Sequence, residues 1–411
     1  MPAPSTLGLR PVLFLASFGL AAPIVGQTVV SGGGSSLQTA ISAAAIGDEL
    51  VVQAGTYDPI LITQGITIEF QTGASVVSNN AMTAVEIRDV NAGALVRLRG
   101  GSFIQNMGPG TSTITIQQVD GSVFFDGTVA IRAFQDPIFG VGINASNNLG
   151  RLQFDNVDEG LPLQLESTHD FDNCEEVTFN NCSNLSPMRL FQTTAAMVDS
   201  DIPLRDSPGN NLPRAALDIL FSNLQITGGF FGSAFSSQTC TPLQSAVLLT
   251  ESEVRISGGA TLEKRVGIPT VLDVSALGTI RGLQPFVDPS VTIIESAGRT
   301  SVTTMSETPA VRTSLPNPAT LDIDVAGGPN RPIITVVGAP TTPINTFEGT
   351  LWITSPVAFD ARVLPAVNPN FTISVPLPPG LPSGLELTFQ AFMQQTAGNF
   401  VLSAPARFLS P

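Results

Sequence analysis

The sequence predicts an all-β chain: a parallel β-solenoid with an N-terminal capping helix, followed by a small C-terminal antiparallel β-sandwich. Three observations carry this expectation. Short alternating runs recur from Thr28 to about Val311 with no long helix between them. A unit centred on Phe returns at a spacing near 25 residues. A proline-rich break near 307–318 then separates these runs from a second group of strands.

The runs are strands because apolar side chains alternate with Thr, Gln, Glu and Arg, one face in and one face out. Examples are Glu49-Leu-Val-Val-Gln53, Ala84-Val-Glu-Ile-Arg88, Leu95-Val-Arg-Leu-Arg99 and Thr113-Ile-Thr-Ile-Gln117. Gly, Asn, Asp and Ser bound them, and these are turn formers. Phe125-Asp-Gly127, Phe154-Asp-Asn156, Phe179-Asn-Asn181 and Phe221-Ser-Asn223 read as versions of one unit. Phe154 and Phe179 are 25 residues apart, the length of one coil, and a period in this range is the mark of stacked repeats. Each Phe would point inward onto its equivalent about 4.8 Å away. The residue after it would face out, and Asn or Gly would take the corner, where positive φ is tolerated. The longer interval before Phe221 is assigned to the loop Ser207-Pro-Gly-Asn-Asn-Leu-Pro213.

A stack of coils has an open end that must be covered. Ser35-Ser-Leu-Gln-Thr-Ala-Ile-Ser-Ala-Ala-Ala-Ile46 supplies a cover, with Leu37, Ile41, Ala44 and Ala45 on one helical face and Ser35 or Ser36 as N-cap. The stretch Leu37-Gln-Thr-Ala-Ile-Ser-Ala-Ala-Ala-Ile-Gly-Asp-Glu-Leu-Val-Val-Gln-Ala-Gly-Thr-Tyr57 resembles the capping helix and first coil of the right-handed parallel β-helix (pectin-lyase-like) superfamily. With the looser repeats the resemblance covers about residues 28–311. It implies the fold and no single activity, because the superfamily holds lyases, hydrolases, adhesins and proteins without known chemistry.

The remaining segments complete the organisation. Arg10 followed by the apolar run 11–22 reads as a secretory signal over residues 1–26, too short to span a bilayer. The solenoid is assigned to 27–311, with its capping helix near 35–46. Residues 312–318 are assigned as a linker and 319–411 as the sandwich module. In the module, Leu385, Leu387, Phe389, Ala391 and Met393 alternate to one side. The expected location is secreted or cell surface, with no membrane span after signal removal. Cys174 and Cys182 flank a strand and are the disulfide candidates in an oxidising compartment; as an alternative all three cysteines, Cys240 included, are small buried residues.

Composition narrows the function. A net charge of −15 argues against nucleic acid and anionic membranes. The chain carries one His, His169, and one Lys, Lys264. The R-x-P-x-x-R string of pectate-lyase-like enzymes and the G-H-G motif of polygalacturonase-like enzymes are both missing from the sequence, so no catalytic residues transfer from either. One acidic stretch remains, with eight carboxylates in the 22 residues from Asp155 to Glu176. Asp126 and Asp155 would stack on successive coils, and two carboxylates that close call for a cation, a raised pKa or a basic neighbour. The catalytic candidates are therefore Asp126, Asp155, Asp158, His169 and Arg189, with Asp170 positioned to act on His169 and Lys264 as a weaker base. Asp155, Asp158 and Glu159 are the calcium candidates, and no other cofactor is expected. A solvated acidic flank is the competing account of this stretch. Trp352 and Tyr57 are single members of their types, which disfavours a long sugar groove lined with aromatic platforms. The expected function is a non-catalytic exported β-helix used for surface attachment, adhesion or scaffolding. The alternatives are a polysaccharide lyase or glycoside hydrolase and a calcium-dependent binding module. The expected partner is an extracellular polysaccharide or a component of the cell envelope.

Overall fold

The computed structural model describes residues 27–80, 82–106, 112–132, 140–159, 167–203, 205–206, 215–232, 234–235, 245–264, 277–279, 286–295, 307–346, 348–379, 381, 385–396 and 398–410. The signal segment 1–26, the loop Ser207–Pro213 and Cys240 lie outside these residues.

Strands up to Thr292–Glu295 pair in parallel, with register shifts at Val141/Asn144 and Asn148/Arg151, so the chain winds as a β-solenoid. A first ladder runs through Glu49–Val52, Thr67–Phe70, Leu95–Arg99, Ser122–Asp126 and the C-terminal halves of Gly140–Asp155 and Ser167–Asn180. It continues through Thr194–Val198, Asn223–Thr227 and Glu253–Ser257. A second ladder joins Ile60–Ile62, Val85–Arg88, Ser112–Gln117, the N-terminal halves of the same two long strands, Met188–Phe191, Ala215–Leu220 and Ser245–Thr250. Shorter strands, such as Ala74–Ser78 and Ser102–Gln105, close the third side.

The corners are set by left-handed residues, one at most corners and a pair of glycines at 100–101, 228–229 and 258–259. Asp89, Gln118, Asn147, Asn173, Gln192, Phe221 and Glu251 turn the chain from the second ladder into the first, all with φ between 47 and 54°. Gly100, Gly127, Asn156, Asn181, Asp199, Gly228 and Gly258 turn it out of the first ladder, again with positive φ. Backbone N–H groups at these corners donate to the next coil, as in Asn156 to Asn180 O at 3.0 Å and Asp199 to Thr227 O at 2.8 Å. Inside one corner, hydroxyls bridge successive coils in the same way. Cys174 N–H donates to Thr193 Oγ1, Thr193 N–H to Ser222 Oγ, and Ser222 N–H to Ser252 Oγ.

The core column follows from this register. Phe125 stacks on Phe154 with ring centroids 5.0 Å apart, and Phe154 on Phe179 at 4.8 Å. Leu98 precedes them, and Met197, Ile226 and Ile256 follow. Phe221 is not a member of this column. It occupies the left-handed corner position equivalent to Gln192 and Glu251, with φ 50°, and it is 46% exposed. The helix spans Ser36–Ala43 and buries Leu37 and Ile41 against the first turns. Gln38 clasps Leu61 through both its backbone N–H and C=O. Neither expected N-cap works through its side chain: Ser35 makes no capping bond, and Ser36 Oγ donates to Gly33 O.

From Ala310 onward the pairing is antiparallel. Ala310–Asn317, Thr320–Ala326 and Asn370–Pro376 form one sheet. Pro332–Thr346, Gly349–Val363, Glu386–Gln394, Phe400–Leu402 and Ala406–Leu409 form the other. Val311, Ile323, Val325, Ile333, Phe389, Met393 and Phe408 fill the space between them. Residues 312–318, read from their prolines as a linker, belong instead to the strand Ala310–Asn317 and its turn. Pro316 falls at the register shift between Ser314 and Asn317, where the ladder is interrupted and a missing N–H costs nothing.

Phe154→Ala removes the middle ring of the stack and is expected to cost about 3–5 kcal/mol in denaturant unfolding. Phe221→Asn is expected to raise stability by about 1 kcal/mol, since Asn tolerates the left-handed corner that Phe strains. Equal losses at the two positions would refute this register.

Candidate functional site

The outward residues of the first ladder form a polar strip. Successive coils present Arg97 and Arg99, Phe124 and Asp126, Gln153 and Asp155, Thr178 and Asn180, the apolar pair Ala196 and Val198, then Gln225 and Thr227. Part of this strip lies under the C-terminal sheets. Trp352, fully buried, donates its indole N–H to Gln225 Oε1 at 2.8 Å. Gln390 is buried between Trp352 N–H and the carbonyls of Thr350 and Ser403.

Four charges join the two parts in a closed ring. Arg151 and Glu176 come from the solenoid, and Arg407 and Glu386 from the C-terminal sheets. Arg151 pairs with Glu176 at 3.5 Å and makes a short contact with Glu386. Arg407 makes a short contact with Glu176 and lies 3.2 Å from Glu386. Arg407 also donates to Gln153 Oε1 at 3.0 Å. Farther along, Arg312 donates to Asp199 at 2.8 Å.

Beside this contact a cleft of about 700 Å³ remains open. Arg97, Arg99, Asp126, Asp155, Asn156 and Asn180 line its solenoid wall; Leu315, Leu321 and Phe408 line the opposite wall. Asp126 is engaged by Arg97, whose Nε lies 3.2 Å from both carboxylate oxygens and whose Nη2 lies 2.6 Å from one; Arg99 is 3.5 Å away. Asp155 accepts from Gln153 Nε2 and Asn180 Nδ2, each at 2.6 Å. Burial pushes the Asp155 carboxyl up to about 6, against the pull of those two donors and of Arg407.

The structure thus brings Asp126 and Asp155 together as Cα partners on one face and places the other candidates elsewhere. Asp158 accepts from Asn184 at 2.9 Å outside the cleft. Arg189 is half exposed and pairs with Asp170 at 3.2 Å, so Asp170 does not serve His169. His169 is fully buried. Its Nδ1 accepts the N–H of Ile143 at 3.1 Å, and its Nε2 makes a short contact with Glu159. The other Glu159 oxygen accepts Ser186 N–H at 2.7 Å. These bonds make His169 and Glu159 parts of the core. Asp155, Asp158 and Glu159 each serve a different partner and do not converge. Among the described residues, no group of three or more His, Cys, Asp or Glu side chains is arranged to hold a metal ion. The Lys264 side chain lies outside the described residues.

Cys174 and Cys182 are not bridged; both thiols are free and buried. Each donates to a carbonyl of the previous coil, Cys174 to Ala145 O and Cys182 to Phe154 O. Burial pushes the Cys174 thiol up to about 11 and raises that of Cys182 further, so neither is a ready thiolate.

Sequence reasoning missed Arg97, Arg151, Glu386 and Arg407. Arg97 had a signal, since it and Asp126 sit one coil apart with the same outward phase. The ring of four had none, because Arg151 and Glu386 are separated by 235 positions. No known family matches the chain, and no curated protein matches it.

Replacing Arg407 by Met leaves Glu176 and Glu386 with Arg151 as their one cation and so one buried negative charge uncompensated, and is expected to cost about 3–5 kcal/mol in urea unfolding. A loss below about 1 kcal/mol would refute this role of the ring. Asp155 also sets a pH dependence. Its native carboxyl titrates above the ordinary value, so its contribution to stability is complete below about pH 4. That contribution is lost as pH rises through about 6, and amounts to at most about 3 kcal/mol. Asp155→Asn is expected to flatten the stability profile between pH 4 and 6, as measured by chemical denaturation.

Proposed function

We propose that the chain is a non-catalytic member of the right-handed parallel β-helix (pectin-lyase-like) superfamily, exported and used as a surface, adhesion or scaffold module. One observation carries this reading: Arg97, Arg99, Asp126, Arg151 and Glu176, charged groups on the outer face of the first ladder, are committed to ion pairs within the protein. Arg151 and Glu176 hold the C-terminal sheets, and Asp126 is tied to Arg97. General acid–base catalysis needs groups free to exchange protons with a substrate. A fixed, polar, many-stranded particle with a second β-module locked to its side suits presentation and attachment. The partner on this reading is an extracellular polysaccharide or a component of the cell envelope.

The raised pKa of Asp155 beside Asp126 favours a second reading, a glycoside hydrolase with Asp155 as the acid. A hydrolase needs a second carboxylate free to act as base or nucleophile, and the guanidinium of Arg97 occupies Asp126. Incubation of the purified protein with uronic-acid and neutral polysaccharides, with and without calcium, is expected to yield no new reducing ends and no unsaturated products. Turnover above the background of an Asp155→Asn variant would replace the first reading with the second.

A further inference from the structure

The cleft has one carboxylate with no ion-pair partner of its own. Asp126 has Arg97, Asp199 has Arg312, and Glu176 and Glu386 have Arg151 and Arg407. Asp155 faces the same space with two neutral amide donors, and no Arg, Lys or His among the described residues forms an ion pair with it. Across the cleft stand Leu315 and the buried core side chains Leu321 and Phe408. Leu315 is 46% exposed, so an apolar side chain of the opposite wall is open to a ligand.

We propose that the cleft binds an organic ammonium ion with an apolar body, its charged nitrogen paired with Asp155 and its body against Leu315. The inference deepens the reading of this protein as a surface or adhesion module and rests on it. A carboxylate held in a partly desolvated site is stabilised by an entering cation, and burial has already displaced the Asp155 carboxyl upward. The bound ammonium supplies the donor strength that Gln153 and Asn180 lack, as a charge-assisted hydrogen bond. A volume of about 700 Å³ falls in the usual range for small-molecule sites. The long-range field agrees: a chain of net charge −15 draws cations and repels anions. The guanidinium groups nearby do not reverse this. Arg97 and Arg407 are already paired, and Arg99 lies two rungs from Asp155 along the ladder, with Asp126 between them.

The test uses the full chain and dansylcadaverine, a fluorescent primary amine with an aromatic body. Saturable fluorescence enhancement is expected, displaced by hexylammonium and not by hexanoate or hexanol. Asp155→Asn should weaken binding about tenfold or more, and Leu315→Ser should weaken it several-fold without touching the carboxylate. Glu86→Gln, a surface change on the second ladder, should leave it unaltered. Thermal melts of each variant verify that the fold is intact. Absence of saturable binding, equal displacement by hexanoate, or Asp155→Asn and Leu315→Ser both titrating like the parent would overturn the proposal. Polysaccharide turnover with amine binding intact would overturn the non-catalytic reading alone.

Discussion

Stacking one coil of chain on the next requires each corner to fall at the same angular position as the corner below it. Here one or two left-handed residues per corner meet that requirement, and the amide of the first is handed to the following coil, as at Gly100, Asp199 and Gly228. The constraint is strict because a strand alternates inward and outward side chains, so a slip of one residue would put a whole face on the wrong side. The stacked rings of Phe125, Phe154 and Phe179 depend on this register. So do the adjacency of Asp126 and Asp155 and the reach of Arg97 to Asp126 across one coil. Chemistry on the outer face is therefore a consequence of corner geometry, transmitted through short strands such as Leu95–Arg99 and Ser122–Asp126.

This also explains what could be read in the chain and what could not. The units Phe125-Asp-Gly127, Phe154-Asp-Asn156 and Phe179-Asn-Asn181 were legible because they use a conspicuous core residue together with a residue tolerant of positive φ. The same position continues as Met197-Val-Asp199, Ile226-Thr-Gly228 and Ile256-Ser-Gly258, where the corner survives but the aromatic does not. Burial selects for apolar volume, not for Phe, so the repeat fades to the eye while the coil persists. Phe221-Ser-Asn223 has the right letters and sits at the other corner, where only the backbone conformation matters. Cys174 and Cys182 were misleading for a related reason. Their short separation in sequence suggests a small loop; in a coil that separation runs along one ladder from one corner to the next. His169 was beyond reach, because its environment is made by Glu159 and Ile143, whose approach depends on coil stacking.

The contact between solenoid and C-terminal sheets has unusual chemistry for a permanent junction. Its centre is a ring of two arginines and two glutamates, with each body giving one of each sign. Among the described residues of the two bodies, Thr178 Oγ1, Thr227 Oγ1, Thr335 Oγ1, Thr388 Oγ1 and Gln225 Nε2 are buried without a hydrogen-bond partner. An apolar surface of equal area would bind more strongly, since desolvation offsets much of the attraction within buried ion pairs. What the ring supplies is orientation. An alternating square of charges is satisfied in one register and repelled by a shift of one rung, which would set Arg151 against Arg407. The same polar strip that could have faced solvent thus becomes a key for the angular placement of the second module.

That placement makes the cleft. Its solenoid wall comes from ladder residues Asp126, Asp155 and Asn180, and its other wall from Leu315, Leu321 and Phe408 of the C-terminal sheets. Neither body contains the site alone. A ligand held between them contacts both and binds only the docked arrangement, so by linkage its binding energy adds to the energy of docking. Asp155 stands where the two meet: it is a neighbour of Arg407 through space and of Asp126 through the ladder. Any cation that neutralises it removes an unpaired charge from the junction and tightens the hold of one module on the other. On the proposed reading, attachment to a partner and rigidity of the whole particle would be two effects of the same carboxylate.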